Sequence, residues 1–171
     1  VVEGRPPRRH LLAQLEEAES AVLFASGMSA IINTLLAVLK AGDHMVITDD
    51  AYGKTLSFCK SWLPKWGIAS TVVKMGDYDA IERAIQPNTR LFFSESPTNP
   101  YLNIMDFAKL REIKAKHPGM LVVSDSTFAT PFNQRPLTLG ADIVIHSATK
   151  YLAGHNDILA GVVLGSANLV Q

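Results

Sequence analysis

From Ala21 onward the chain alternates short apolar runs with stretches of helical period, a rhythm that few folds accommodate. The runs occupy residues 22–24, 45–48, 70–73, 91–94, 121–124, 143–146 and 161–164, and they are rich in Val, Ile, Leu and Phe. Helices are expected between them at 28–40, 54–66, 79–85 and 106–117. Gly42, Gly67 and the Pro118-Gly119 pair stand where the first, second and fourth of these should stop, and Asp106 is placed to cap the fourth. Strands apolar on both faces and joined through helices pair in parallel, because a parallel pair needs a crossover and a sheet covered on both sides. The expected class is α/β.

With 171 residues, 47% of them hydrophobic, the chain is one domain's worth and long enough to bury about two-thirds of its unfolded surface. It carries no repeat, linker or low-complexity stretch. Sixteen basic and 16 acidic side chains cancel, and no Lys/Arg run exceeds three residues, so the footprint of a nucleic-acid binder is missing. No apolar run approaches the roughly 20 residues a membrane helix needs. The single cysteine, Cys59, has no partner for an internal disulfide, which points to a reducing, cytoplasmic setting.

Ligands of open α/β sheets collect beyond the carboxyl ends of the strands, so the residues just after each run carry the functional argument. After the first run, Ser26, Gly27 and Met28 open a helix, where free amides and the dipole favour a phosphate; a plain tight turn has the same composition. Asp125 ends four apolar residues and needs either a cationic partner or a turn role. Lys150 follows Ser147 and Thr149, and a lysine desolvated there would serve as an amine nucleophile, although most lysines are surface residues. Tyr52 is placed to stack on a planar ligand or to pack, and Asn99 to direct its amide inward or to shape the Pro97–Pro100 turn. Gly53-Lys54-Thr55 lacks the first glycine of a phosphate-binding P-loop. No nucleophile elbow occurs, and the five histidines lack ligand spacing, so no metal is expected.

Taken in order, Ser26-Gly27-Met28, Tyr52, the Glu95–Pro100 run ESPTNP, the Asp125–Pro131 run DSTFATP and the His146–His155 run HSATKYLAGH resemble the pyridoxal-phosphate-dependent enzymes of cysteine and methionine metabolism. The likeness extends from Leu11 to Ser166, and the run from Gly154 to Gly161 is most similar to the cystathionine γ-synthase branch. The resemblance implies the large domain of fold type I, the aspartate-aminotransferase-like fold, over residues 21–171. Residues 1–20 would be the remainder of an N-terminal arm and a lead-in helix, with the C-terminal small domain absent. It implies that Lys150 holds pyridoxal 5'-phosphate as a Schiff base and moves protons, that Asp125 pairs with the pyridine nitrogen, and that Tyr52 stacks on the ring. Asn99 would face the phenolic oxygen, Thr127 would support the ring, and Ser26, Gly27, Met28, Ser147 and Thr149 would hold the phosphate.

The implied substrate is a small amino acid: an activated homoserine joined to cysteine, or cystathionine or methionine split by a lyase. An inert cofactor-binding fragment and a homo-oligomer with shared sites belong to the same set of expectations. In the arm region Gly4 and Pro6 match the family, but Arg5 replaces an asparagine and no Tyr-x-Arg precedes it.

Overall fold

The computed structural model describes residues 8–170; residues 1–7, which hold the arm match, and Gln171 lie outside the described residues. In chain order the elements are α1 (Arg8–Glu16), β1 (Ser20–Phe24), α2 (Gly27–Val38), β2 (His44–Thr48), α3 (Gly53–Ser61) and β3 (Ala69–Val73). They continue through α4 (Tyr78–Ala84), β4 (Thr89–Glu95), α5 (Phe107–Lys116), β5 (Leu121–Asp125) and the short α6 (Thr130–Asn133) and α7 (Pro136–Leu139). The chain finishes with β6 (Ile143–His146), β7 (Gly161–Gly165) and α8 (Ala167–Val170). Every apolar run is a strand, and all seven form one sheet in the order β1-β7-β6-β5-β4-β2-β3.

The expected parallel pairing holds from β3 through β6 and fails at β7. Strand β2 pairs in parallel with β3 and β4, β4 with β5 and β5 with β6. By contrast β7 runs antiparallel to both β6 and β1. The physical reason is the connection: residues 147–160 contain no helix to serve as a crossover, so the chain turns back along the same edge.

Helix limits follow local chemistry. The helix expected at 54–66 ends at Ser61, because Pro64 has no amide to continue the ladder; a 3-10 turn, Leu63–Trp66, follows and stops at Gly67, whose φ is 72°. Asp106 caps α5 as expected, accepting the amides of Ala108 and Lys109 at 3.0 and 3.2 Å. Alternate strand residues then face opposite layers. Met45, Ile47, Leu91, Phe93 and Val123 pack with Ile31 and Leu35 of α2 and Phe58 of α3. Val46, Phe92 and Val122 pack on the other face with Ile81 of α4 and Leu110 and Ile113 of α5. Enclosing one such side chain contributes about 1.5–3 kcal/mol, so both faces of the sheet need their helical layer.

A buried polar contact ties α1 to the sheet. Glu16, the last residue of α1, meets His146, the last of β6, with Oε1 2.6 Å from Nε2 and both side chains 1% exposed. It pins the lead-in helix to the strand that precedes Lys150. Among the described residues no helix is long and apolar enough to cross a membrane.

Candidate active site

Six strands share one direction, so the ends of β1, β2, β4, β5 and β6 open on one edge of the sheet, where β7 begins. A cleft of about 550 Å³ lies there. Ser26, Gly27, Met28, Tyr52, Asn99, Asp125, Thr127, Ser147, Thr149 and Lys150 all line it, so the ten candidates drawn from separate parts of the sequence come together. Lys54, Glu95, Phe128 and Leu159 line it as well and were missed. Two other hollows, beside Lys74–Asp79 and beside Lys60–Ser70, are more open and hold no buried carboxylate.

The start of α2 forms one wall. Ser26 caps the helix in an extended conformation, and its Oγ accepts the Ser29 amide at 3.1 Å while its carbonyl accepts that of Ala30 at 3.0 Å. The Gly27 and Met28 amides precede the helical ladder and remain for an anion, at the positive end of the dipole. Close approach is enforced by glycine. A Cβ on Gly27 would stand 2.7 Å from that of Ser147, and one on Gly161 would stand 2.2 Å from the Ser26 carbonyl oxygen. On the facing loop, Thr149 Oγ1 accepts the Ala160 amide at 2.9 Å and donates to the Ala160 carbonyl at 3.2 Å, so holding a phosphate requires that longer bond to yield.

The floor carries two carboxyl groups on neighbouring strands, Glu95 of β4 opposite Asp125 of β5. Asp125 is 7% exposed, and Oδ1 accepts the Thr127 amide at 3.0 Å and hydroxyl at 2.5 Å. Burial raises its pKa, while the Thr127 hydrogen bonds and the nearby His146 pull it back. No lysine or arginine pairs with it among the described residues, so the cation that the sequence calls for does not come from this part of the chain. Thr127 also accepts the Ser147 amide at 2.8 Å, which ties the Asp125 turn to the loop bearing Lys150. Burial first, and then the charge of Asp125, push Glu95 up to about 8.

Lys150 corrects one expectation: its side chain is exposed at the cleft mouth, because nothing among the described residues covers the loop after β6. Its reactivity therefore rests on placement rather than on desolvation. Tyr52 stands just before α3, 42% exposed, and its amide donates to Glu95 Oε2 at 2.9 Å. Asn99 is exposed on the turn after β4. No cluster of three or more metal-ligating side chains exists among the described residues.

Comparison with known proteins places these observations in context. The family described as Cys/Met metabolism PLP-dependent enzyme matches residues 7–171. Cystathionine gamma-synthase 1, chloroplastic, of Arabidopsis thaliana is 50% identical over 161 residues, covering 94% of this chain and 28% of that protein. Cystathionine gamma-lyase of Bacillus subtilis is 47% identical over 154 residues, covering 90% of this chain and 40% of that protein. The metY structure of Campylobacter jejuni, which contains a pyridoxyl-lysine 5'-monophosphate, superposes with a TM-score of 0.90 at 31% identity, covering 95% of this chain and 40% of that one. The chain thus spans less than half the length of each of these relatives.

Proposed function

The chain belongs to the Cys/Met metabolism PLP-dependent enzymes, and from that premise we propose that it is the cofactor-holding part of an enzyme like cystathionine γ-synthase, one that exchanges the γ-substituent of an activated homoserine for the sulfur of cysteine. Residues 21–171 are read as its large domain and 1–20 as the lead-in. The observation that carries the reading is Asp125, a buried carboxyl without a protein cation, in the same cleft as Lys150 and the start of α2. A protonated ring nitrogen fits the first and a phosphate fits the last, so the residues present suit pyridoxal phosphate.

When bound, that group supplies an electron-accepting ring for the charge left on a substrate carbon. The chain's part is to hold and to move protons. Asp125 would hold a proton at the ring nitrogen, and Thr127, bonded to Oδ1, fixes the carboxyl's orientation. Lys150 Nζ would be the amine that holds the aldehyde group, and once free it would carry protons at the substrate's α- and β-carbons. Tyr52 would cover the ring face, Asn99 would orient the phenolic oxygen, and the Gly27 and Met28 amides with Ser26, Ser147 and Thr149 would hold the phosphate.

Lyase chemistry on cystathionine is the second reading, supported by the 47% identity to the Bacillus protein. Incubation with an acylated homoserine and cysteine should release cystathionine; turnover of cystathionine alone would assign the lyase instead, and labelling of Lys150 without turnover of either would assign a cofactor-binding module. A homo-oligomer is part of the proposal, supported by Tyr101, Leu102, Phe132 and Leu159 standing exposed around the loops of this edge. So is a cytoplasmic setting, supported by Cys59 standing alone in the sequence without a partner for an internal disulfide.

A further inference from the structure

We propose that Glu95 is a positioning residue of the cleft: its carboxyl, at the tip of β4 beside Asp125, holds the Tyr52 backbone amide and thereby fixes the aromatic wall over the floor. The inference rests on the cofactor reading only for what the wall covers. Tyr52 begins α3 with no side-chain cap, so the first turn of that helix has no cap of its own. Glu95 reaches it across 43 residues of sequence and accepts its amide at 2.9 Å, while being 5% exposed itself. The Asn99 backbone amide, on the turn after β4, pulls the pKa of the same carboxyl down against burial.

Its charge state follows from its surroundings. Asp125 from β5 and Asp50 from the turn after β2 face it with like charge, and Tyr52, Lys54 and Lys150 stand in the same cleft. With burial added, Glu95 keeps its proton up to about pH 8. A neutral carboxyl still accepts an amide through one oxygen, so the clamp works while Glu95 is uncharged.

Linkage makes this measurable without cofactor. A carboxyl whose folded pKa is raised from 4.5 to about 8 contributes stability that is complete below 4.5 and is lost as pH rises towards 8. In the cofactor-free chain the thermal midpoint should therefore fall across that window, and E95Q, which keeps the acceptor and loses the titration, should fall less. Titrated with pyridoxal phosphate at pH 7, E95Q should bind within about twofold of the parent and E95A about tenfold more weakly, the scale of one lost hydrogen bond to a buried group. Parallel midpoint profiles for parent and E95Q, or parental affinity in E95A, would overturn the proposal. If the parent forms no adduct at all, the cofactor reading fails and the midpoint profiles still decide the role of Glu95.

Discussion

Adding pyridoxal phosphate and reducing with borohydride is expected to leave a stable label on Lys150, and Lys150→Ala is expected to abolish both the label and the yellow colour of the mixture. The experiment discriminates because Lys54 lines the same cleft and is the rival amine. Two anchors separate them. The aldehyde must reach its amine while the ring nitrogen lies at Asp125 and the phosphate at the start of α2. The Lys150 loop is bonded to the Asp125 turn through Ser147 and Thr127, at 2.8 and 2.5 Å, so its amine and that carboxyl share one frame. Lys54 sits in the first turn of α3, next to Tyr52, and no hydrogen bond among the described residues ties it to the Asp125 turn. Peptide mapping reads the outcome. A label on Lys54 in the parent chain, or an undiminished label in Lys150→Ala, would remove the assignment and with it the proposed proton carrier.

What made the sheet legible was burial on both faces. A strand such as β4 reads as Leu91-Phe92-Phe93 because neither side meets water, and the crossover helices on either side betray its direction. The reversed β7 looks the same in composition; its direction is written in the missing helix of residues 147–160, an absence easier to see afterwards than to weigh beforehand. Helices α6, α7 and α8 have four residues each, too few to show a period, and passed unnoticed. Site residues were legible where a chemical group stood immediately after an apolar run, as Asp125 does. Glu95 also ends such a run, yet its task is defined by an amide 43 positions away, and Glu16 and His146 lie 130 apart. No local pattern encodes such pairings; they exist only once the register Glu95–Asp125 and the docking of α1 are formed.

Among the glycines of the described residues, Gly161 should tolerate an added methyl least. Its Cβ would lie 2.2 Å from the Ser26 carbonyl oxygen, 2.6 Å from the carbonyl carbon and 2.9 Å from the Gly27 nitrogen, all backbone atoms with no rotamer to retreat into. Strand β7 has little freedom to withdraw, since it is paired with β1 on one side, Phe24 opposite Gly161, and with β6 on the other, His146 opposite Val162. The start of α2 must lift instead, breaking the tight contact that brings its free amides into the cleft. Overpacking of this kind costs about 3 kcal/mol or more, which for a chain of this size lowers the midpoint by roughly 10 °C. Gly53→Ala supplies the control: a Cβ there meets nothing within 4 Å, and a substitution away from packed groups changes stability by about 0.5 kcal/mol or less. Both variants add one methyl at the first residue of an element, Gly53 of α3 and Gly161 of β7, and they differ in the approach of neighbouring backbone. Thermal denaturation and pyridoxal phosphate titration of the two chains should diverge together. If Gly161→Ala melts with the parent and binds equally well, the position of the α2 amides is not set by this contact, and the phosphate end of the cleft must be held by the Ser147–Thr149 loop alone.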